Sequence, residues 1–127
     1  MLKGIDNANI ITNIFGEKNV FKKAKLLNIS YQMIDSRMEL SILIHDEPIN
    51  IPKKWGEFES VYLKIEFYGL NSLKINLKED RPLIDNFSIY NNNDKYDCRI
   101  SMNDEQQIQC IFEIARVQNI RPFVDKK

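Results

Sequence analysis

The chain has 127 residues, carries 18 Lys plus Arg against 18 Asp plus Glu, and has a formal net charge of zero. That length suits one domain over residues 1–127 with a single core, and the neutral balance removes any global attraction to nucleic acid or an anionic membrane. No apolar run approaches the roughly 20 residues that span a bilayer, and Asp and Asn interrupt the opening MLKGIDNANIITNIFG where an export signal needs continuous apolar sequence, so a cytoplasmic protein is expected.

Ile10, Ile11, Ile14 and Phe15 share one helical face, which predicts a short helix over about 6–15. Asp6 or Asn7 would cap its start, and Gly16 would supply a left-handed stop. From Leu26 the period becomes two, and two strands are expected, over about 26–34 and 38–45. Leu27, Ile29, Tyr31 and Met33 alternate with polar residues in the first. After the turn DSR, so do Met38, Leu40, Ile42 and Ile44. Leu43 is the misfit on the polar face and is expected under a loop. The stretch DEPINIPKKWGEFES contains two prolines and predicts a loop of roughly a dozen residues, where the chain could cross to a second sheet.

Alternation resumes over about 60–68, with Val61, Leu63, Ile65 and Phe67 opposed to Tyr62, Lys64, Glu66 and Tyr68. Further strands are expected over about 72–78, 85–90 and 96–102, joined by turns at GLNS, KEDRP and NNND. The run 107–117 suits either a strand or a helix, since Ile108, Ile111, Phe112 and Ala115 also form a helical stripe. Its β-branched and aromatic content, and the need for an edge partner, favour the strand. The fold class is therefore α+β, mainly β. A short N-terminal helix precedes about seven antiparallel strands in a meander, built as one curved sheet or a two-sheet sandwich.

Residues able to carry chemistry are few. Cys98 and Cys110 lie inside predicted strands, outside any C-x-x-C pair, and read as buried thiols. With His45 the sole histidine, no metal site is expected. His45 beside Asp46 and Glu47 lacks a nucleophile in the local sequence, which gives no catalytic residues. Glu79-Asp80, like Asp46-Glu47, sits in a solvated turn. The glycines are scattered and form no phosphate cradle, so no cofactor is expected. Two groups of side chains suit a partner surface. The first is Lys22, Lys23 and Lys25 in VFKKAKL, which also suit a strand end protected from edge pairing. The second is Lys53, Lys54 and Trp55 in the long loop, where the tryptophan would either fold onto the core or form a hot spot. Tyr62, Tyr68 and Tyr90 fall on polar faces and are secondary candidates, as cross-strand pairs or as a contact row.

NIFG, VFKKAKLLNISYQ, MELSILIH, VYLKIEFYGLNSLKINL and FSIY together make the chain resemble immunity protein 50 of bacterial polymorphic-toxin systems, over roughly Asn13 to Phe112. Phe15-Gly16, Phe21 and Ala24 match the family's opening motif. Lys22-Lys23 replace its His-Asp, Lys25 replaces its Glu, and its Trp-Pro has no counterpart, so an acidic patch has become basic. The resemblance implies a non-enzymatic protein that binds and neutralises a cognate toxin by stoichiometric occlusion. The charge inversion would suit a toxin with an acidic surface. A small-molecule or carbohydrate-binding β domain, using the polar face with Tyr62, Tyr68 and Tyr90, is the competing expectation.

Overall fold

The structure, a computed structural model, describes residues 4–125. One short helix and nine strands form two sheets: β1 (Ile5–Asp6), α1 (Asn9–Phe15), β2 (Lys25–Gln32), β3 (Arg37–Ile44), β4 (Ser60–Tyr68), β5 (Ser72–Asn76), β6 (Ile84–Asn92), β7 (Lys95–Met102), β8 (Gln107–Phe112) and β9 (Ile114–Phe123). The five-stranded sheet runs β1-β9-β4-β3-β2, and the four-stranded sheet runs β5-β8-β7-β6. The class is α+β, mainly β, and the two sheets form a sandwich.

Period-two alternation places one apolar row of each strand in the interior. In the five-stranded sheet the inward rows include Leu26, Ile42, Leu63 and Ile120, and Ile29, Leu40, Ile65 and Val117. The four-stranded sheet contributes Ile108, Ile100 and Phe87, and Leu73, Cys110, Cys98 and Ile89, while Ile75 at its edge stays exposed. Ile11, Ile14 and Phe15 of α1 join the same core, as do Val20, Phe21 and Ala24 of the segment that follows. Phe21 stacks on Phe87 with ring centroids 4.1 Å apart, which ties that segment to β6.

Several expectations change in detail. The helix is shorter than predicted because Asp6 is taken by β1, which pairs in parallel with β9. Ala8 occupies the N-cap position without a side-chain hydrogen bond, so neither Asp6 nor Asn7 caps the helix. Gly16 does stop it, at φ 80° and ψ −154°, with its N–H on the Thr12 carbonyl at 2.7 Å. The first long strand ends at Gln32, and Met33–Asp35 form a turn of 3-10 helix. The run 107–117 is strand, but it divides at Glu113, with β8 in one sheet and β9 in the other.

The long loop does not cross between the sheets, because β3 and β4 on either side of it are antiparallel neighbours. The crossings lie at Gly69–Asn71 and at Glu113, side by side, with the Glu113 N–H on the Tyr68 carbonyl at 3.0 Å. Gly69 has φ 66° there, and a Cβ at this position would stand 2.5 Å from Glu113 Oε1. Glycine satisfies both the positive φ and the close approach.

Candidate partner-binding surface

The outward residues of the five-stranded sheet form cross-strand rows. At one end the row is Lys25, Leu43, Tyr62 and Arg121. Next come Asn28, Ser41, Lys64 and Asn119, then Ser30, Glu39, Glu66 and Arg116, and last Gln32, Arg37, Tyr68 and Ile114. Two irregularities shape this face. The ladder slips between Leu26 and Asn28 in β2, where Leu27 is extra, and opposite Lys64/Ile65 in β9, where Gln118 is extra. A bulge of one residue reverses the facing of everything on one side of it. Continuing the alternation back from Ile29 and forward from Val117 would turn Lys25 and Arg121 inward. The two bulges put both cations outside, and Leu26 and Ile120 inside instead.

Most charges on this face are already paired. Glu66, only 4 % exposed, accepts from Arg116 at 3.2 Å and lies 3.9 Å from Arg37. The hydrogen bond to Glu66 is the largest of the contacts that hold the Arg116 guanidinium above its ordinary pKa. Lys64 stands 3.9 Å from Glu39, and Arg37 also donates to Gln32. Arg116 lies over the Tyr68 ring, and Arg121 lies closer over Tyr62, at 4.1 Å from the centroid. The Tyr62 hydroxyl is fixed by Ser41 at 2.8 Å. Leu43 is buried on this outer face, flanked in register by Lys25 and Tyr62. Among the described residues, neither Lys25 nor Arg121 has a carboxylate within 4.0 Å.

Lys22 and Lys23 are exposed and Lys25 is half-exposed. Their segment is held by backbone bonds from Lys23 N–H to the Ile84 carbonyl, 2.7 Å, and from Ile84 N–H to the Ala24 carbonyl, 2.8 Å. Lys53 and Lys54 are exposed in the loop that joins β3 to β4. Trp55 is half-buried, packs against the core and meets Phe58 edge-on at 5.4 Å, so its ring serves mainly to fold the loop inward. The loop leaves Ile44 and returns at Ser60, the end of the sheet where Lys25 and Arg121 stand. Ile49 and Asn50 N–H groups bond the Ile14 carbonyl, and Lys18 donates to the Glu47 carbonyl at 3.3 Å, which binds the loop to the α1–β2 segment. The two lysine groups, remote in sequence, thus belong to one pole.

The tyrosines do not form one row. Tyr62 and Tyr68 lie on the five-stranded sheet, whereas Tyr90 lies on the outer face of the other, under Arg99 at 5.6 Å. A cavity of about 430 Å³ at the loop base is lined by His45, Asp46, Glu47, Glu57, Phe58 and Glu59 among others, and by none of these tyrosines. His45 is exposed there, while Cys98 is buried opposite Cys110 in β7 and β8. Among the described residues no three His, Cys, Asp or Glu side chains are grouped to hold a metal ion, and no helix is long and apolar enough to cross a membrane.

Sequence reading missed Arg121, Arg116 and the buried Glu66. The Pro122 that follows Arg121 argues against strand, and a bulge that reverses alternation leaves no mark in composition. The signal that could have found Arg121 is the return of Ile120 and Pro122 to the inward row after Gln118. In comparison with known proteins, the family model described as Immunity protein 50 matches residues 7–123. No curated protein and no solved structure matches the chain.

Proposed function

The chain belongs to the immunity protein 50 family, and from that premise we propose that it is a non-enzymatic protein that neutralises a cognate bacterial toxin by stoichiometric occlusion. The observation that carries this reading is the family match over nearly the whole chain. The geometry is compatible with it. A two-sheet scaffold presents fixed side chains with little rearrangement, which limits the entropy lost on association. Lys22, Lys23, Lys25, Lys53 and Lys54 are the proposed partner-binding cations, gathered at one pole with Trp55 as the internal support of its loop. Unpaired cations of this kind accelerate encounter with an acidic surface, and desolvated aromatic and arginine anchors supply most of the affinity.

The test is co-expression with the product of the toxin gene adjacent to this chain's gene. The expected result is a one-to-one complex that survives gel filtration, and restored growth of cells making the toxin. A toxin that stays active and unbound in the presence of an excess of the folded chain would refute the proposal.

A further inference from the structure

We infer that the row Lys25–Leu43–Tyr62–Arg121, on the outer face of the five-stranded sheet, is the docking surface for an acidic segment of the partner toxin, with Arg121 as its anchor. This rests on the immunity reading above and names the face and the chemistry it would use. Three features distinguish this row from the rest of the face.

The first is charge that is free to be used. Glu66 occupies Arg116 and Arg37, and Glu39 occupies Lys64. Lys25 and Arg121 at the ends of the row have no such partner among the described residues, so a carboxylate arriving there displaces no internal ion pair. The second is order before binding. Arg121 is laid over Tyr62 at 4.1 Å, and Tyr62 is itself fixed through Ser41. A guanidinium on an aromatic face keeps its planar fork outward, ready for bidentate contact with a carboxylate, and sacrifices little rotamer freedom on binding. The third is layout. Adjacent strands lie about 4.8 Å apart, so the Lys25 and Arg121 backbones are three steps, about 14 Å, apart, and the Arg121 guanidinium reaches back over Tyr62 toward Lys25. That pattern fits an acidic strand or loop that presents carboxylates to both cations, with Leu43 and Tyr62 supporting them from beneath. Both cations reach this face only because of a bulge beside each of them, at Leu27 and Gln118. Bulges commonly re-aim a side chain in this way. Lys22 and Lys23 are exposed in the segment that leads into Lys25.

The experiment measures binding of the full chain and its variants to the product of the adjacent toxin gene, by calorimetry. Arg121→Ala is expected to weaken binding about tenfold or more, and Arg121→Glu and Lys25→Glu each further, as loss of an anchor does. Arg121→Lys should recover part of the loss, and Asn119→Ala, one row away, should stay within about twofold. Melting temperatures establish that each variant folds, and Lys25→Glu keeps the test decisive if a variant at Arg121 does not. A wild-type complex that Arg121→Glu and Lys25→Glu leave unchanged would overturn the face while leaving the immunity role intact. Absence of a wild-type complex would overturn both. Binding of the wild-type chain to a short DNA duplex, lost in Arg121→Glu, would overturn the protein partner in favour of phosphates.

Discussion

Gln106 is 1 % exposed, and its amide makes four hydrogen bonds: Oε1 accepts from the Lys78 and Glu79 N–H groups, and Nε2 donates to the Asn103 carbonyl and to Glu79 Oε1. It thereby joins the β7–β8 turn to the chain leaving β5. Gln106→Ala leaves two backbone donors without partners and should cost about 1–3 kcal/mol, a fall of several degrees in melting temperature. An unchanged melt would mean that water replaces the amide. The Cys98 thiol is held well above its ordinary value, first by its hydrogen bond with Cys110, then by burial, then by the charges of Cys110 and Asp97. A pKa raised in the folded state gives stability that is complete below the unfolded-state value and lost as pH rises past it. Stability should therefore decline above about pH 8.5, with iodoacetamide reacting only as the sheet opens. Denaturation midpoints between pH 7.5 and 10 that stay level would contradict this.

The strands themselves were legible, because an inward apolar row demands period two, and Val61 to Tyr68 or Met38 to Ile44 can be satisfied in no other way. What escaped were features of pairing. β1 is two residues long and exists because β9 offers it a parallel edge. Glu113 divides a run that reads as uniform, and the crossing lies at Gly69 rather than in the proline-containing loop. Lys22, Lys23 and Lys25 were visible as a charged cluster, whereas Arg121 depends on the extra residue at Gln118. Deleting Gln118 should close the bulge while leaving Ile120 and Pro122 inward and Arg121 outward, so stability in urea titration should hold to within about 1 kcal/mol, and a larger loss would show that the strand needs the extra twist of the bulge. Gly69→Ala should also destabilise, through its positive φ and the contact with Glu113, and by more than Gly56→Ala, where φ is also positive but nothing lies within 4 Å. Equal effects at both glycines would show that the close approach is relieved at no cost.

At the scale of the molecule, a neutral chain gathers Lys25 and Arg121 at one pole without an ion-pair partner among the described residues, and commits Arg37, Lys64, Arg99 and Arg116 to internal pairs. If that pole meets an acidic toxin, association should slow as salt is raised from about 0.05 to 0.5 M while dissociation changes little. Stopped-flow rates that ignore ionic strength would argue for an apolar interface. The position of β9 has a further consequence. It is the last of the described strands in sequence, yet it lies between β1 and β4 inside its sheet. A nascent chain that has exposed everything up to Phe112 still presents β4 as an open edge, without Arg121 on its surface. Protection of a cell should therefore lag behind synthesis until the final strand leaves the ribosome, and a translation arrest before Ile114 would yield a product that aggregates instead of guarding.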